Sequence, residues 1–102
     1  MGTLMKSLLF ALAALAVTLN PAHAAEPTGE AMAATCAACH GTHGKLGIME
    51  YMPLAGMSET EFVRAMQDFR SGKRMSTLMG HVANGFSDTE IRAMAKYFAN
   101  VK

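Results

Sequence analysis

The sequence predicts a small all-α domain, because apolar residues recur at helical spacing and two helix-capping signatures precede them. Ser58 with Glu61, and Ser87 with Glu90, have the spacing of a capping box, in which a serine caps the helix and the glutamate three residues on completes the cap. No segment is patterned as a strand. The length of 102 residues leaves room for one such domain.

The N-terminal segment has the layout of a secretory signal peptide. Lys6 supplies the positive start, residues 7–17 form an apolar run, and Ala-His-Ala at 22–24 is a small-x-small cleavage site. The run is too short for a membrane anchor, which needs about 20 residues. We predict cleavage after Ala24, export to the periplasm, and a domain over residues 25–102.

Four helices are expected in that domain. The first covers residues 28–39 with Thr28 as its N-cap, and a Gly- and Pro-containing loop follows at 41–57. The second begins at Ser58 and ends near Ser71, before Gly72. A short turn or helix at 76–83 and a last helix after Ser87 complete the set. The apolar faces of the second and last helices consist of Phe62, Met66 and Phe69, and of Ile91, Met94, Ala95 and Phe98.

Charge and cysteine content narrow the function. Of nine Lys and Arg only Lys6 lies in the predicted signal peptide, so eight basic residues balance eight acidic ones in the mature peptide. This balance gives no indication of nucleic-acid binding. A domain this small usually needs an additional stabilising feature, such as a disulfide or a bound metal. The two cysteines, Cys36 and Cys39, stand too close together to close a long loop as a structural disulfide.

The pentapeptide Cys-Ala-Ala-Cys-His at 36–40 predicts covalent attachment of one haem c. In this motif Cys36 and Cys39 add to the haem vinyl groups, and His40 becomes the proximal ligand of the iron. A redox dithiol would need a preceding strand in a βαβ unit, which is not predicted. A zinc site would need two more ligands, and His43 and His81 do not have zinc-site spacing.

A second axial ligand is commonly methionine. Met66 and Met94 fall on helix core faces, and Met32 precedes the motif too closely to reach the far side of the haem. Three further methionines follow His40 closely and would need a sharp chain reversal: Met49, Met52 and Met57. Met75 and Met79 lie late enough to return over the haem, and position alone does not separate them.

The mature chain resembles the class I c-type cytochromes over nearly its whole length. It is similar to cytochrome c4 domains and, more closely, to the haem subunit of flavocytochrome c sulfide dehydrogenase. The resemblance implies a helical fold around haem, with crossing first and last helices, and Met79 as distal ligand. It rests on Cys-His-Gly-Thr-His-Gly at 39–44, Leu-Ala-Gly at 54–56, Phe-Arg-Ser-Gly-Lys-Arg at 69–74, Ser-Thr-Leu-Met-Gly at 76–80, Phe-Ser-Asp-Thr-Glu-Ile at 86–91 and Ala-Lys-Tyr-Phe at 95–98.

Two departures from that family bear on function. The family's haem subunit often carries a second haem motif in a second domain, whereas this sequence has one, which fits a single-haem or free-standing carrier. Relatives place Pro one residue earlier before the Leu-Ala-Gly turn, where Met52 stands here and Pro53 follows. A backbone carbonyl in this region orients the proximal histidine in the family, and the sequence leaves open which one does so here.

The expected function is single-electron transfer with no catalysis by this chain itself, within a sulfide–cytochrome c oxidoreductase complex. The resemblance implies a FAD-containing sulfide dehydrogenase as donor and another cytochrome as acceptor. The alternatives are a freely diffusing carrier, a small haem peroxidase and a haem-based sensor. An apolar loop could dock the flavoprotein permanently or simply cover the haem, and its residues are Leu46, Ile48, Met49, Tyr51 and Met52.

Several other side chains have two interpretations. We expect His43 to lie on a loop surface, and His81 is a minor rival to Met79 as distal ligand. The basic cluster Arg70, Lys73 and Arg74 suits either a solvated helix end or contact with a haem propionate or an acidic partner. Tyr97 and Phe98 are expected where the first and last helices meet.

Overall fold

The computed structural model describes residues 2–6, 25–46 and 52–102 of the chain. Within these ranges the only regular elements are helices, which confirms the predicted all-α class. None of the helices in the described part is long and apolar enough to cross a membrane. The apolar run and cleavage site of the predicted signal peptide lie outside the described residues, as do Ile48, Met49 and Tyr51 of the loop.

The first helical run is continuous but changes its pitch. Helix α1 covers Gly29–Ala33, a 3₁₀ turn covers Ala34–Cys36, and helix α2 covers Ala37–His40. The Thr28 hydroxyl accepts a hydrogen bond from the Ala31 N–H at 3.1 Å, so the predicted N-cap is confirmed. The run ends at Gly41, and a second 3₁₀ turn covers Thr42–Gly44.

Helix α3 covers Glu59–Ser71, close to the predicted bounds. The Ser58 hydroxyl accepts a hydrogen bond from the Glu61 N–H at 3.3 Å, which is one half of the predicted capping box. The helix ends at Gly72, whose φ of +77° is the left-handed conformation that glycine adopts without strain. Phe62 and Met66 are buried on its inner face, as the apolar periodicity predicts.

Two further helices complete the fold of residues 25–102, and residues 2–6 are also helical. Helix α4 covers Met79–Asn84, so it begins three residues later than the predicted turn or helix at 76–83. The Ser76 hydroxyl accounts for the later start. It accepts a hydrogen bond from the Gly80 N–H at 2.9 Å and so caps the first turn of α4 from a position that precedes the helix. Helix α5 covers Asp88–Ala99 and begins with a complete capping box between Ser87 and Glu90.

The core lies where α5 packs against α1 and α3. The predicted apolar stripe of α5 is confirmed, since its four members are fully or almost fully buried: Ile91, Met94, Ala95 and Phe98. Gly29 allows the close crossing of α1 and α5, because a Cβ at this position would collide with the Ala93 carbonyl. The Phe98 ring packs on Phe62 with ring centroids 5.5 Å apart.

Candidate functional site

The two cysteines lie on consecutive turns of the first helical run. Cys36 ends the 3₁₀ turn and Cys39 lies in α2, three residues on, so that both side chains project from one side of the helix. Both thiols are free; Cys36 is half-buried and Cys39 is exposed. Because a structural disulfide does not consume them, both sulfurs are available to form thioethers on one edge of a planar ligand.

The environment of Cys36 favours its protonated form. Burial raises the pKa of the Cys36 thiol, the neighbouring Cys39 adds to this increase, and the adjacent Thr35 side chain partly opposes it. The Thr35 hydroxyl is itself fixed, because it donates to the Met32 carbonyl at 2.8 Å. Since the thiolate is the nucleophilic form of cysteine, burial at Cys36 disfavours that form.

His40 is held by a backbone hydrogen bond that fixes its tautomer. The side chain is buried, with 7% of its surface exposed, and its Nδ1 lies 2.8 Å from the Met52 carbonyl oxygen. A carbonyl only accepts hydrogen bonds, so Nδ1 carries the proton and donates it. Nε2 is then left with a free lone pair, which is the arrangement that a metal-ligating histidine requires.

The hydrogen bond of His40 also shows which backbone carbonyl orients this histidine in a chain whose proline stands one residue later than in its relatives. Met52, and not Pro53, supplies the carbonyl that orients His40. Met52 has a φ of +58°, which is unusual for a residue other than glycine. Such a conformation costs about 1–3 kcal/mol and persists only where the surrounding structure holds it. The strain lies where the loop must turn its carbonyl toward the imidazole.

Gly44 connects this loop to the helix that carries the motif. Its carbonyl accepts hydrogen bonds from the Leu54 and Ala55 N–H groups at 2.9 and 3.2 Å. Further along, the Gly56 N–H donates to the Phe98 carbonyl at 2.8 Å, which ties the end of the loop to α5. These three bonds hold the segment that follows Met52 and therefore help to keep its carbonyl on His40.

Three of the described methionines are core residues, and two are the candidate distal ligands that their position in the chain leaves open. Met66 and Met94 are buried in the hydrophobic core, as predicted. Met32 is buried there too, which agrees with its exclusion as a distal ligand. Met79 is the first residue of α4, half-buried and packed against the same core. Met75, its rival by position, is 93% exposed.

The two other histidines in the described part of the chain, His43 and His81, lie at the surface, but one of them has a specific partner. His43 is exposed, as predicted, and its Nδ1 lies 2.6 Å from the Tyr97 hydroxyl. Tyr97 also packs edge-on against Phe98, with ring centroids 5.2 Å apart. Phe98 is buried in the core and Tyr97 packs against that core, so the predicted core placement of both aromatics is confirmed. His81 is exposed on α4. The His43–Tyr97 contact joins residues 54 positions apart and has no local sequence signal.

The three basic residues of the cluster have different environments. Arg70 forms an ion pair with Asp88 at 2.6 Å and also donates to two backbone carbonyls. Lys73 lies 3.8 Å from Asp68 and is mostly exposed, whereas the Arg74 guanidinium lies 4.8 Å from the centre of the Phe69 ring. Arg70 is therefore neither a solvated helix end nor a free cation, a role that sequence reasoning missed.

A metal site of the zinc type is not formed in the part of the chain that the structure describes. Within residues 2–6, 25–46 and 52–102, no group of three or more His, Cys, Asp and Glu side chains converges to hold an ion. The chemically distinctive arrangement is instead the Cys36–Cys39 pair with the tautomer-fixed His40 beside it.

No protein-family model matches the chain, but several curated proteins are similar to it. It is 38% identical over 76 residues to the cytochrome subunit of sulfide dehydrogenase of Chlorobaculum tepidum, and this match covers 74% of the chain and 68% of that protein. It is 42% identical over 69 residues to the thiosulfate dehydrogenase electron acceptor of Stutzerimonas stutzeri, covering 65% of the chain and 32% of that protein.

A third relative is cytochrome c4 of Pseudomonas aeruginosa, with 37% identity over 83 residues, covering 79% of the chain and 41% of that protein. The chain therefore spans about two thirds of the first of these relatives and less than half of the other two.

Proposed function

Because the chain belongs to the class I c-type cytochromes, we propose that it is the periplasmic haem subunit of a sulfide-oxidising flavoprotein complex. Membership of the family makes the chain an electron-transfer protein with covalently bound haem c. The finer proposal names its location, its iron ligands and its donor. The observation that supports it best is the buried His40, whose imidazole is held in the ligating tautomer by the Met52 carbonyl.

The residues present fit haem c. The bound haem supplies the one-electron redox chemistry, since its iron alternates between the ferric and ferrous states. Cys36 and Cys39 are free and would form the two thioethers, and His40 would offer Nε2 to the iron. The hydrogen bond from Nδ1 raises the basicity of the imidazole and fixes its orientation, both of which affect the reduction potential.

Met79 is the proposed distal ligand. It stands at the start of α4, half-buried against the core, where a thioether is held near one position. Met75 is almost fully exposed, and the chain would have to move it a long way from solvent to serve the same purpose. A thioether ligand stabilises the ferrous state relative to a second imidazole and so suits an acceptor of electrons.

The ligand assignment is tested on the purified holoprotein by absorption spectroscopy. We expect a low-spin ferrous spectrum and, in the ferric form, the weak charge-transfer band that methionine-to-iron coordination produces. A high-spin spectrum would contradict the proposal and favour the peroxidase or sensor alternatives, because both require an open distal position. The same spectrum therefore separates an electron carrier from a haem enzyme.

The donor is proposed to be a FAD-containing sulfide dehydrogenase subunit, and the acceptor another cytochrome. Support comes from the Chlorobaculum tepidum relative, which is a cytochrome subunit of sulfide dehydrogenase. The predicted mature peptide has equal numbers of acidic and basic residues, so it lacks the strong net charge that steers transient encounters. A permanent apolar contact therefore suits this chain better than electrostatic steering.

The loop between Gly44 and α3 is the proposed contact. Of its described apolar residues, Met52 is 44% exposed and Leu46 is half-buried. Met52 uses its backbone to orient His40, which leaves its side chain free to touch a partner. A flavoprotein seated there would approach the same loop that holds the proximal ligand.

The partner proposal is tested by purifying the native complex from periplasm at moderate salt. We expect a flavin-containing subunit to co-elute with the cytochrome, and Met52→Gln to weaken this co-elution while keeping the carbonyl that bonds His40. Met75→Gln is the matched control, because it replaces an exposed methionine outside this loop. Recovery of the wild-type cytochrome as a lone monomer would refute the permanent complex.

The second candidate is a separate electron acceptor that diffuses between partners. The Stutzerimonas stutzeri relative, an electron acceptor of thiosulfate dehydrogenase, favours it. In that case, the wild-type protein would elute alone yet be reduced rapidly when an exported oxidoreductase and its substrate are added. The two candidates share the haem and its ligands and differ only in the lifetime of the complex.

A further inference from the structure

We infer that Arg70 is a positioning residue for the distal ligand: its guanidinium fixes α4 between α3 and α5 and so determines where Met79 lies. This inference rests on the proposed role of Met79. It assigns a function to the one residue of the basic cluster that is engaged by several elements.

Arg70 contacts three consecutive parts of the chain. From the last turn of α3, Nε donates to the Ala83 carbonyl at 3.4 Å and Nη2 donates to the Phe86 carbonyl at 2.6 Å. Nη1 donates to the Asp88 carboxylate at 2.6 Å. Ala83 is in the last turn of α4, Phe86 is in the connection, and Asp88 is the first residue of α5. One side chain therefore joins α3 to the end of α4 and the start of α5.

The other end of α4 also touches α3. At Gly80, directly after Met79, a Cβ would come within 3.3 Å of the Phe69 carbonyl, so the two backbones lie close together. The Gly80 N–H is held by the Ser76 hydroxyl. Residues 69 and 70 of α3 thus meet the two ends of α4, Phe69 near Met79 and Arg70 at the C-terminal turn.

Helix α4 depends on such contacts because it has only six residues. Isolated helices shorter than about 12 residues are marginal in water, so the orientation of α4 is set by tertiary packing rather than by its own hydrogen bonds. Charge-assisted hydrogen bonds from a planar guanidinium are both strong and directional. Release of the far end of α4 would let the helix tilt, and Met79 would move with it.

This geometry also distinguishes Arg70 from its neighbours. The Arg70 side chain is 29% exposed and three of its five N–H groups donate to the protein, which disfavours a role in binding a haem propionate or an acidic partner. Arg74 lies four residues on, carries the same charge and packs over the Phe69 ring. Arg74 is therefore a matched control for loss of charge and for a general effect on this region.

The experiment measures how readily imidazole displaces the distal ligand from the ferric holoprotein at fixed pH. Imidazole binds only when Met79 leaves the iron, so its apparent affinity rises with the fraction of protein in which that bond is open. We expect Arg70→Gln to tighten imidazole binding about tenfold, equivalent to about 1.4 kcal/mol. Arg74→Gln should change it less than about twofold, and Arg70→Lys should fall between them, because an ammonium cannot satisfy all three acceptors.

A second measurement separates positioning from general destabilisation. In urea, the methionine-to-iron charge-transfer band of Arg70→Gln should disappear at a lower concentration than the far-UV helical signal, whereas in the wild type and in Arg74→Gln the two transitions should coincide. If Arg70→Gln does not mature, Asp88→Asn removes the ion pair alone and should still tighten imidazole binding about threefold relative to wild type.

Equal imidazole affinities for the Arg70 and Arg74 variants would overturn the inference. So would coincident urea transitions in Arg70→Gln, or no effect of Asp88→Asn where Arg70→Gln cannot be obtained. Absence of the charge-transfer band in the wild type is a different result, because it would refute Met79 as ligand and with it the proposed axial pair.

Discussion

Replacement of Gly44 by alanine should destabilise the holoprotein far more than the same replacement at Gly72. Both glycines have a left-handed backbone, with φ of +72° and +77°. An alanine in this conformation costs about 1–2 kcal/mol at either position. Around Gly72 nothing lies within 4 Å of the added Cβ, so the backbone cost is the whole effect.

At Gly44 the added methyl group would also collide with packed atoms. It would lie 2.8 Å from the Leu54 Cβ and 2.9 Å from the Phe98 ring. Phe98 is fully buried between Phe62 and Tyr97 and has little room to move. Overpacking of this kind costs about 1–3 kcal/mol, which brings the expected total for Gly44→Ala to about 2–5 kcal/mol.

The assay is equilibrium urea unfolding of both holoproteins, followed by far-UV circular dichroism and analysed for the free energy of unfolding at an unchanged m-value. Gly44→Ala should also raise the reduction potential, since the displaced loop weakens the Met52–His40 hydrogen bond and makes the imidazole a poorer donor to the ferric ion. A Gly44→Ala cost no greater than that of Gly72→Ala would show that the methyl group is accommodated and that this packing argument is wrong.

Three further predictions concern the distal iron ligand, the folding of the haem-free protein and the cleavage of the signal peptide. Met79→Ala should abolish the methionine-to-iron charge-transfer band, and Met75→Ala should retain it; the reverse pattern would assign the ligand to Met75. A Cys36→Ala, Cys39→Ala protein made without haem should show a weak helical signal and no cooperative thermal transition, because so small a core does not offset the conformational entropy of folding. Mass spectrometry of the periplasmic protein should place its N-terminus at Ala25, give or take one residue, and an uncleaved chain would contradict the predicted signal peptide.

Local signals in the sequence predicted the helices well. Thr28, Ser58 and Ser87 are caps because a side-chain oxygen bonds an N–H two or three residues on, and such an interaction depends only on nearby residues. The apolar stripe of α5 was likewise predictable, since helical periodicity decides which residues share a face. The start of α4 was predicted three residues too early, because the Ser76 hydroxyl caps Gly80 from three residues before the helix and not from the N-cap position.

The sequence predicted which residue types carry the chemistry of the site, but not the contacts that hold those residues in place. The spacing of the motif predicts Cys36, Cys39 and His40 as the haem-binding residues, since the attachment chemistry itself requires that spacing. The Arg70 contacts and the His43–Tyr97 bond depend on how distant segments meet, and no local pattern encodes them. The Met52 carbonyl belongs to the same class: any backbone can accept this bond, so residue identity does not reveal which one does.

The two proposed iron ligands stand at helix ends, and this position explains why loop and side-chain contacts matter so much here. His40 is the last residue of the four-residue α2, and Met79 is the first residue of the six-residue α4. Helices this short do not hold a side chain in place by themselves. The proximal side is held by one backbone carbonyl and the loop behind it, whereas the distal side depends on the Arg70 guanidinium at one end of α4 and on the Ser76 hydroxyl, which bonds the Gly80 N–H, at the other. An electron carrier needs the same ligand geometry in both oxidation states, because any rearrangement adds to the barrier for electron transfer. The residues that meet this requirement therefore include Met52 and Arg70, neither of which is a proposed iron ligand.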